Sequence, residues 1–360
     1  ATEPPVSRHL ILDNPGVRRA GLFLTALAVV VLAILPVFVV ERGQEGFVTN
    51  SLLFNFTQMV MMIAMAASWN LTGGFTGYVD FGHAVWFGIG AYGTGVFMTK
   101  VGLSFPVATA GGVVVSVVAA LLIGSATLRL RGPYFSIAML ATFVATREII
   151  RIAKPLTDGG EGMTLPPYLN RPLFFYVTLI LAVLVVAMTW WLRRTQFGAT
   201  LIAIREDEIG ADMRGINTTL HKITVFAISA AITGLVGGLW AYQNTFIDPD
   251  IVFIERRTLD IIIATILGGL GTVAGPVIGS VVFYWLRDLV WSHFLHYHLI
   301  VTGGLLIALV LWVPEGIVGS LSDRSGATPL SRLLHRNREE QSEDDLIETA
   351  GGSDPDGTES

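Results

Sequence analysis

The sequence predicts an all-α polytopic membrane protein, on three observations. Hydrophobic residues make up 52% of the 360 and charged residues only 14%. Several apolar runs approach or exceed the roughly 18–20 residues that span a bilayer. The largest charged island, Gly198–Lys222, separates two such runs instead of interrupting one. Cysteine is absent, which excludes disulfides, Cys-ligated metals and thiol catalysis.

In chain order the apolar segments fall near 20–40, 51–71, 78–99, 104–128, 134–153, 173–192, 223–243, 258–268, 276–296 and 298–318. The first follows Arg18 and Arg19; its apolar run is too long for a signal peptide, so a retained helix is expected. Arg8, Arg18 and Arg19 place the N-terminus in the cytoplasm by the positive-inside rule. Arg129 and Arg131 then fall inside after four crossings, and Arg193 and Arg194 after six. Arg147, Arg151 and Lys154 break the pattern, lying toward the outer end of the fifth span. Arg324, Arg332, Arg336 and Arg338 ask for a cytoplasmic C-terminus and hence an even number of crossings. Splitting 258–285 at Gly268-Gly269-Leu270-Gly271 gives ten, whereas one helix there gives nine.

The piece before that split is roughly 17 Å long at 1.5 Å per residue, too short to cross alone, so it must be buried among neighbours. Segment three, YVDFGHAVWFGIGAYGTGVF, is also glycine-punctuated and polar at its start. With segments two to five as one half and seven to ten as the other, segments three and eight correspond. The halves begin on opposite sides of the membrane, as in an inverted repeat. Such paired broken segments point to a transport pathway; close helix packing at Gly82, Gly88, Gly90, Gly93 and Gly95 is the plainer reading.

The expected organisation is a cytoplasmic segment 1–19, an integral domain 20–320 and a cytoplasmic tail 321–360. Nine acids and no Lys or Arg lie in Glu339–Ser360, the composition of a solvated disordered segment. The other 338 residues carry 23 basic and 19 acidic groups, a net of +4, so the overall −5 belongs to the tail.

The charged island, a cytoplasmic loop over about 195–222, is where a transporter subunit receives force from a soluble partner. Read as one helix, it places Ile202, Ile209, Met213 and Ile216 in a single stripe, with Arg205, Asp207, Glu208, Asp212 and Arg214 on the other faces. A helix resting on the bilayer is the alternative, but such helices are usually rich in Lys and Arg and this one mixes signs.

Asn70-Leu71-Thr72-Gly73-Gly74-Phe75-Thr76-Gly77, Asp80-Phe81-Gly82-His83-Ala84 and Phe87-Gly88-Ile89-Gly90-Ala91-Tyr92 together resemble the signature of branched-chain amino-acid ABC importer permeases. The resemblance is closest to the M-type membrane subunit of the high-affinity leucine/isoleucine/valine system. Further matches are Leu130–Phe135, Ala203–Glu208, Leu267–Gly271 with Gly275-Pro276, and Pro314–Ile317, in the family's order across roughly 50–320. It departs at Asp80, where many relatives carry a small hydroxyl residue, and at Thr157–Gly162, which approximates the family's outer Thr-Gly-Gly loop.

The resemblance implies a type II-like ABC importer permease in a prokaryotic plasma (inner) membrane, with both termini cytoplasmic. Implied partners are a second related permease, two ATPase subunits carrying ATP and Mg, an extracytoplasmic solute-binding protein and lipid, with no nucleic acid. It makes the Arg205–Glu208 region the ATPase-coupling loop; with the apolar stripe, the candidate coupling residues are Ile202, Arg205, Glu206, Asp207, Glu208, Ile209, Met213 and Gly215. The candidate path or gate comprises Asn70, Gly74, Asp80, Phe81, Gly82, His83, Phe87, Tyr134, Phe135, Gly268, Gly269, Gly271 and Pro276.

What the chain lacks agrees with that. There is no G-x-x-x-x-G-K-[ST] phosphate loop, and its only lysines are Lys100, Lys154 and Lys222, so no cofactor and no catalytic residue is expected here. His293, His296 and His298 read as interfacial residues and not as metal ligands. Asp80 and His83, three apart, either cap the third helix or line the path; Arg147-Glu148 and Arg287-Asp288 are placed to bond neighbouring helices. Urea, short amides or other amino acids remain alternative solutes. An ion-coupled secondary transporter, with Asp80 and His83 as relay groups, and a structural or receptor subunit are the competing classes.

Overall fold

The structure, a computed structural model, describes residues 50–167, 171–293, 303–304 and 316–322. The span expected at 20–40, most of that at 298–318, the segment 1–19, His296, His298, Pro314-Glu315 and the tail beyond Ser322 lie outside the described residues. The helices in chain order are α1 (Asn50–Thr72), α2 (Ala84–Thr99), α3 (Phe105–Thr127), α4 (Pro133–Ile152) and the one-turn α5 (Lys154–Thr157). There follow α6 (Arg171–Arg194), α7 (Gln196–Glu206), α8 (Glu208–Met213), α9 (Thr218–Asn244) and the one-turn α10 (Pro249–Val252). The described chain closes with α11 (Glu255–Gly268), α12 (Ala274–His293) and α13 (Gly316–Ser322).

Among the described residues α1, α3, α6 and α9 are long and apolar enough to cross a membrane. Pro106 and Pro133 open α3 and α4, where the missing N–H of proline would be unpaired in any case. The fold is not purely helical. Met163–Thr164 (β1) and Phe246–Ile247 (β2) pair antiparallel, Met163 against Ile247, joining the loop before α6 to the one after α9.

The organising helix is α9, which packs on α1, α2 and α3; α1 in turn packs on α6, α11 and α12. Each short helix therefore lies against the long helix of the other half of the chain: α2 on α9, α11 on α1. Small residues set the spacing. A Cβ at Gly90 would stand 2.1 Å from the carbonyl oxygen of Gly234, so α2 and α9 touch backbone to backbone. Around that seam Trp86, Phe87, Phe135, Phe226 and Trp240 form the aromatic core.

Segment three departs from expectation. Its helix begins at Ala84, not Tyr78, and residues 73–83 are non-helical. This stretch turns back into the helical layer: His83 Nε2 lies 2.8 Å from the Thr233 hydroxyl, in the middle of α9. The backbone N–H of Ala84 then donates to Thr258 Oγ1 at 3.1 Å, so the first turns of α2 and α11 meet. At 1.5 Å per residue α2 and α11 are roughly 24 and 21 Å long, each short of the roughly 30 Å hydrocarbon layer.

The exception to the positive-inside pattern has a local cause. Arg147 and Arg151 both donate to Asp250, at 2.6 and 2.5 Å, and Lys154 lies 3.7 Å from Glu161. These charges are matched by acids at the end of the molecule opposite the charged loop. Arg147 bonds across to α10 as its position suggests, whereas Glu148 pairs within its own helix, 3.5 Å from Arg151.

Because the Gly90 contact is with backbone, Gly90→Ala should destabilise the protein by about 1–3 kcal/mol, the usual cost of overpacking. Gly160→Ala, whose Cβ would meet only Arg151 Cγ at 3.9 Å, should be neutral. Thermal unfolding of the two variants in detergent checks this.

Candidate functional site

The charged loop is two helices, not one. Asp207 adopts extended backbone (φ −155°, ψ 101°) between α7 and α8, and the continuous stripe read from the sequence is broken there. The side chains turned inward are Leu201, Ile204 and Ala211; Ile202 is only half-buried. Ile209 and Met213 are 58% and 85% exposed, although both are apolar. Arg205, Glu206, Asp207 and Gly215 are exposed as well.

Two side chains of the loop reach the membrane domain. Glu208 accepts from Lys222 Nζ at 2.8 Å and from the Tyr78 hydroxyl at 2.5 Å. Lys222, 3% exposed, also donates to Tyr78 Oη and to the carbonyl of Leu128, each at 3.0 Å. This node joins α8, α9, the end of α3 and the loop before α2. Burial alone would raise the Glu208 pKa, but the hydrogen bonds from Lys222 and Tyr78, and then their charge environment, hold it below the ordinary 4.5. Burial, followed by Glu208, pushes the Tyr78 phenol up. At neutral pH Glu208 is therefore a carboxylate and Tyr78 a neutral phenol.

The second reach is that of Arg205. Its Nη1 donates to the carbonyl of Gly74 at 2.8 Å, and a Cβ on Gly271 would stand 2.5 Å from the same nitrogen. Gly271, at φ 74°, has room for that guanidinium only because it lacks a side chain. Asn70 completes the cluster: its Nδ2 donates to Thr272 O at 2.7 Å, and its Oδ1 accepts from Gly271 N at 2.9 Å. Asn70, Gly74 and Gly271 are thus brought together with Arg205, and the two glycine-broken segments share one contact with the loop. Gly268, Gly269 and Pro276 are buried in the adjoining α11–α12 turn, where a Cβ on Gly268 would overlap the Gly275 carbonyl.

Asp80, Gly82 and His83 form a separate cluster inside the helical layer. Asp80 and His83 are fully buried and precede α2 instead of lying on its face. Asp80 Oδ1 accepts from Gly82 N at 2.8 Å, and Oδ2 lies 3.2 Å from His83 Nδ1. With Nδ1 donating to the carboxylate, Nε2 accepts from Thr233, whose hydroxyl is 3.0 Å from Ser68 Oγ. Ser68 and Ser229 exchange hydroxyl-to-carbonyl bonds at 2.8 and 2.9 Å. Gly82 abuts the Met139 carbonyl, a packing contact.

The remaining path candidates separate. Phe135 is buried against Tyr78, ring centroids 5.2 Å apart, while Tyr134 is 71% exposed and Phe81 37%. Phe87 lines a cavity of about 480 Å³ with Met61, Met65, Trp240, Arg257 and Asp260 among its walls. Sequence reading passed over Lys222, Tyr78 and Arg257. The available signal was position: Lys222 and Arg257 are cations at the mouths of otherwise apolar segments. Among the described residues no cluster of three or more His, Asp or Glu could hold a metal ion.

An apolar helical domain of this kind, with a charged loop tied to two broken helices and no nucleotide-binding motif, has the organisation of a membrane transport subunit. Residues 51–310 match the family described as branched-chain amino acid transport system / permease component, and the chain belongs to that family. Similar relatives include the high-affinity branched-chain amino acid transport system permease protein LivM of Salmonella typhimurium, 27% identical over 82% of this chain and 74% of the relative. LivM of Escherichia coli is 26% identical over the same shares. The autoinducer 2 import system permease protein LsrC of Salmonella paratyphi B is 27% identical over 71% of this chain and 74% of the relative. No solved structure matches the chain.

Two outcomes follow from the node and its neighbour. Lys222→Met should destabilise the protein by about 3–5 kcal/mol, because it strands the Glu208 carboxylate, and adding Glu208→Gln should recover part of that loss. Thermal unfolding of the single and double variants measures the coupling. Since the folded-state pKa of Glu208 lies below 4.5, its contribution is complete above that value and is lost as pH falls through the folded-state pKa. Hydrogen-exchange protection of 206–222 should therefore be flat across neutral pH and fall only below the ordinary carboxylate range.

Proposed function

We propose that this chain is the membrane-spanning permease subunit of an ATP-driven importer for branched-chain amino acids. The observation that carries the reading is the join at Arg205, which gives a cytoplasmic partner a direct mechanical link to both broken helices. Family membership and the LivM relatives support the substrate class, and the LsrC relative supports other small polar solutes as a second reading. The partners are a second related permease, two ATPase subunits that carry ATP and Mg, and an extracytoplasmic solute-binding protein.

The domain extends over 20–320 in a prokaryotic plasma membrane, with cytoplasmic segments 1–19 and 321–360 and ten spanning or partly spanning helices. Its two halves are an inverted repeat of the type II-like importer kind. The reciprocal packing of α2 on α9 and α11 on α1 supports this, as does the mutual exchange of bonds between Ser68 and Ser229. Arg205 and Glu208 hold the loop to the membrane domain; Ile209 and Met213 present the apolar contact to the ATPase. Asn70, Gly74, Gly271 and the α11–α12 turn gate the path, while Asp80, Gly82 and His83 brace the re-entrant loop beside it.

Ile209→Asp and Met213→Asp should each reduce ATPase co-purification by at least about tenfold, because a carboxylate would be buried without a partner. Membrane insertion and permease pairing should survive. Leucine uptake by vesicles holding the wild-type complex and its binding protein should require ATP and be lost in both variants. Full ATPase retention would return the loop to the bilayer surface, and uptake driven by an ion gradient without ATP would contradict the importer reading.

A further inference from the structure

The cavity beside Phe87 has a charge balance that its own walls do not close. It is bounded by the first half of α1, the first turns of α11 and the far half of α12, with Phe87 and Trp240. Three arginines, Arg256, Arg257 and Arg287, face two acids, Asp260 and Asp288. Asp260 is already engaged: Arg287 donates to it and Arg256 lies 3.8 Å away. Arg257 has no carboxylate within ion-pair distance among the described residues. Its Nε is buried without a hydrogen-bond partner, and its nearest acceptor, Ile251 O, is 3.4 Å from Nη2. The guanidinium instead lies over aromatic rings, its carbon 4.0 Å from the Phe87 centroid and 4.9 Å from that of Trp240.

A cation fixed in place and left without a counter-charge is costly in an apolar setting. Stacking retains its position but does not neutralise it. The first turns of α2 and α11 meet beside it, so both helix dipoles present their positive ends to the same region. The other walls join the polar Asn55 and Gln58 to a soft apolar surface that includes Met61, Met62, Met65 and Ile261. A volume of about 480 Å³ lies in the small-ligand range and below what a folded segment needs.

We propose that Arg257 binds the carboxylate of the transported solute, with the aliphatic side chain lying against Met61, Met65 and Ile261 and the ammonium toward Asp288. This deepens the permease reading and rests on it. Asp288 is exposed and has no ion-pair partner among the described residues, so the cavity offers one site for each charge of a zwitterion. The planar guanidinium suits a carboxylate through paired N–H donors.

The test is equilibrium dialysis of radiolabelled L-leucine and L-leucinamide against the transporter assembled with its partner subunits in nanodiscs, without binding protein. Wild type should bind leucine about 10- to 100-fold more tightly than the amide, the range for one hydrogen-bonded charged contact. Arg257→Gln should abolish that preference, and Arg257→Lys should keep it at weaker affinity. Equal binding of the two solutes by wild type overturns the proposal, whatever the folding of either variant, and so does an undiminished preference in Arg257→Gln. A leucine affinity that collapses when anionic lipid replaces zwitterionic lipid assigns Arg257 to an anionic lipid headgroup and also overturns it. Leucine uptake with the binding protein restored reads the permease proposal separately. Absent uptake contradicts the branched-chain assignment, whereas uptake without a carboxylate preference at the permease contradicts only the Arg257 site.

Discussion

A chain that interrupts its helices inside an apolar layer must satisfy the freed peptide groups itself, because lipid offers no partners. That constraint explains most of the polar residues buried here. The stretch before α2 is tied by Asp80 to Gly82 N, by Trp69 Nε1 to the Asp80 carbonyl and by Ser136 to the Val79 carbonyl. Thr258 takes the N–H of Ala84, and Asn70 holds both a carbonyl and an N–H of the turn after α11. The bonds of Thr258 with Ala84 and of Asn70 with Gly271 and Thr272 join distant segments, so there the broken elements double as the fastening between the two halves of the chain.

The same economy governs the charges. Lys222 is buried because Glu208, Tyr78 and the Leu128 carbonyl use its three donors, and Glu208 stays ionised because Lys222 and Tyr78 donate to it. Glu208 and Arg205 reach back to Lys222 and to the Gly74 carbonyl and so fix the loop's position, leaving Ile209 and Met213 exposed. The contacts of Asp80 and His83 hold the re-entrant backbone in place: Asp80 takes Gly82 N, and His83 reaches Thr233 in α9. The competing relay reading needs a continuous route to either surface. Among the described residues the network runs from Asp80, which also takes the Trp86 indole N–H, through His83 and Thr233 to Ser68 and Ser229.

The spans were legible because apolar periodicity and length report burial in lipid directly. The helices at 50–72, 105–127, 133–152, 171–194 and 218–244 begin and end within a few residues of the apolar runs. The start of α2 was not legible: 78–83 is apolar enough to extend a helix, and bonds to Val79, Asp80 and His83 from distant residues tie it in a non-helical path. The break at Asp207 was hidden for a similar reason, since every residue from Gly198 to Asp212 tolerates a helix and the bend follows from docking Glu208 on Lys222. In the candidate site, motif resemblance picked out Asn70, Gly74, Arg205 and Gly271, which the fold gathers. It could not pick out Arg257, whose significance lies in the rings of Phe87 and Trp240, remote in sequence and adjacent in space.

If the Arg205 join is a mechanical link, the loop and the broken helices move as one body. The chain contains no cysteine, so spin labels can be introduced in pairs without background. Labels at Asp212→Cys and Leu270→Cys report the loop against the turn after α11, and double electron–electron resonance on the assembled transporter measures their separation with ADP and with trapped ATP. An unchanged Asp212–Leu270 distance, with Leu270 shifting against a third label at Val107→Cys on α3, is the predicted result. A loop that moves relative to Leu270 while Leu270 keeps its distance from Val107 would contradict the account.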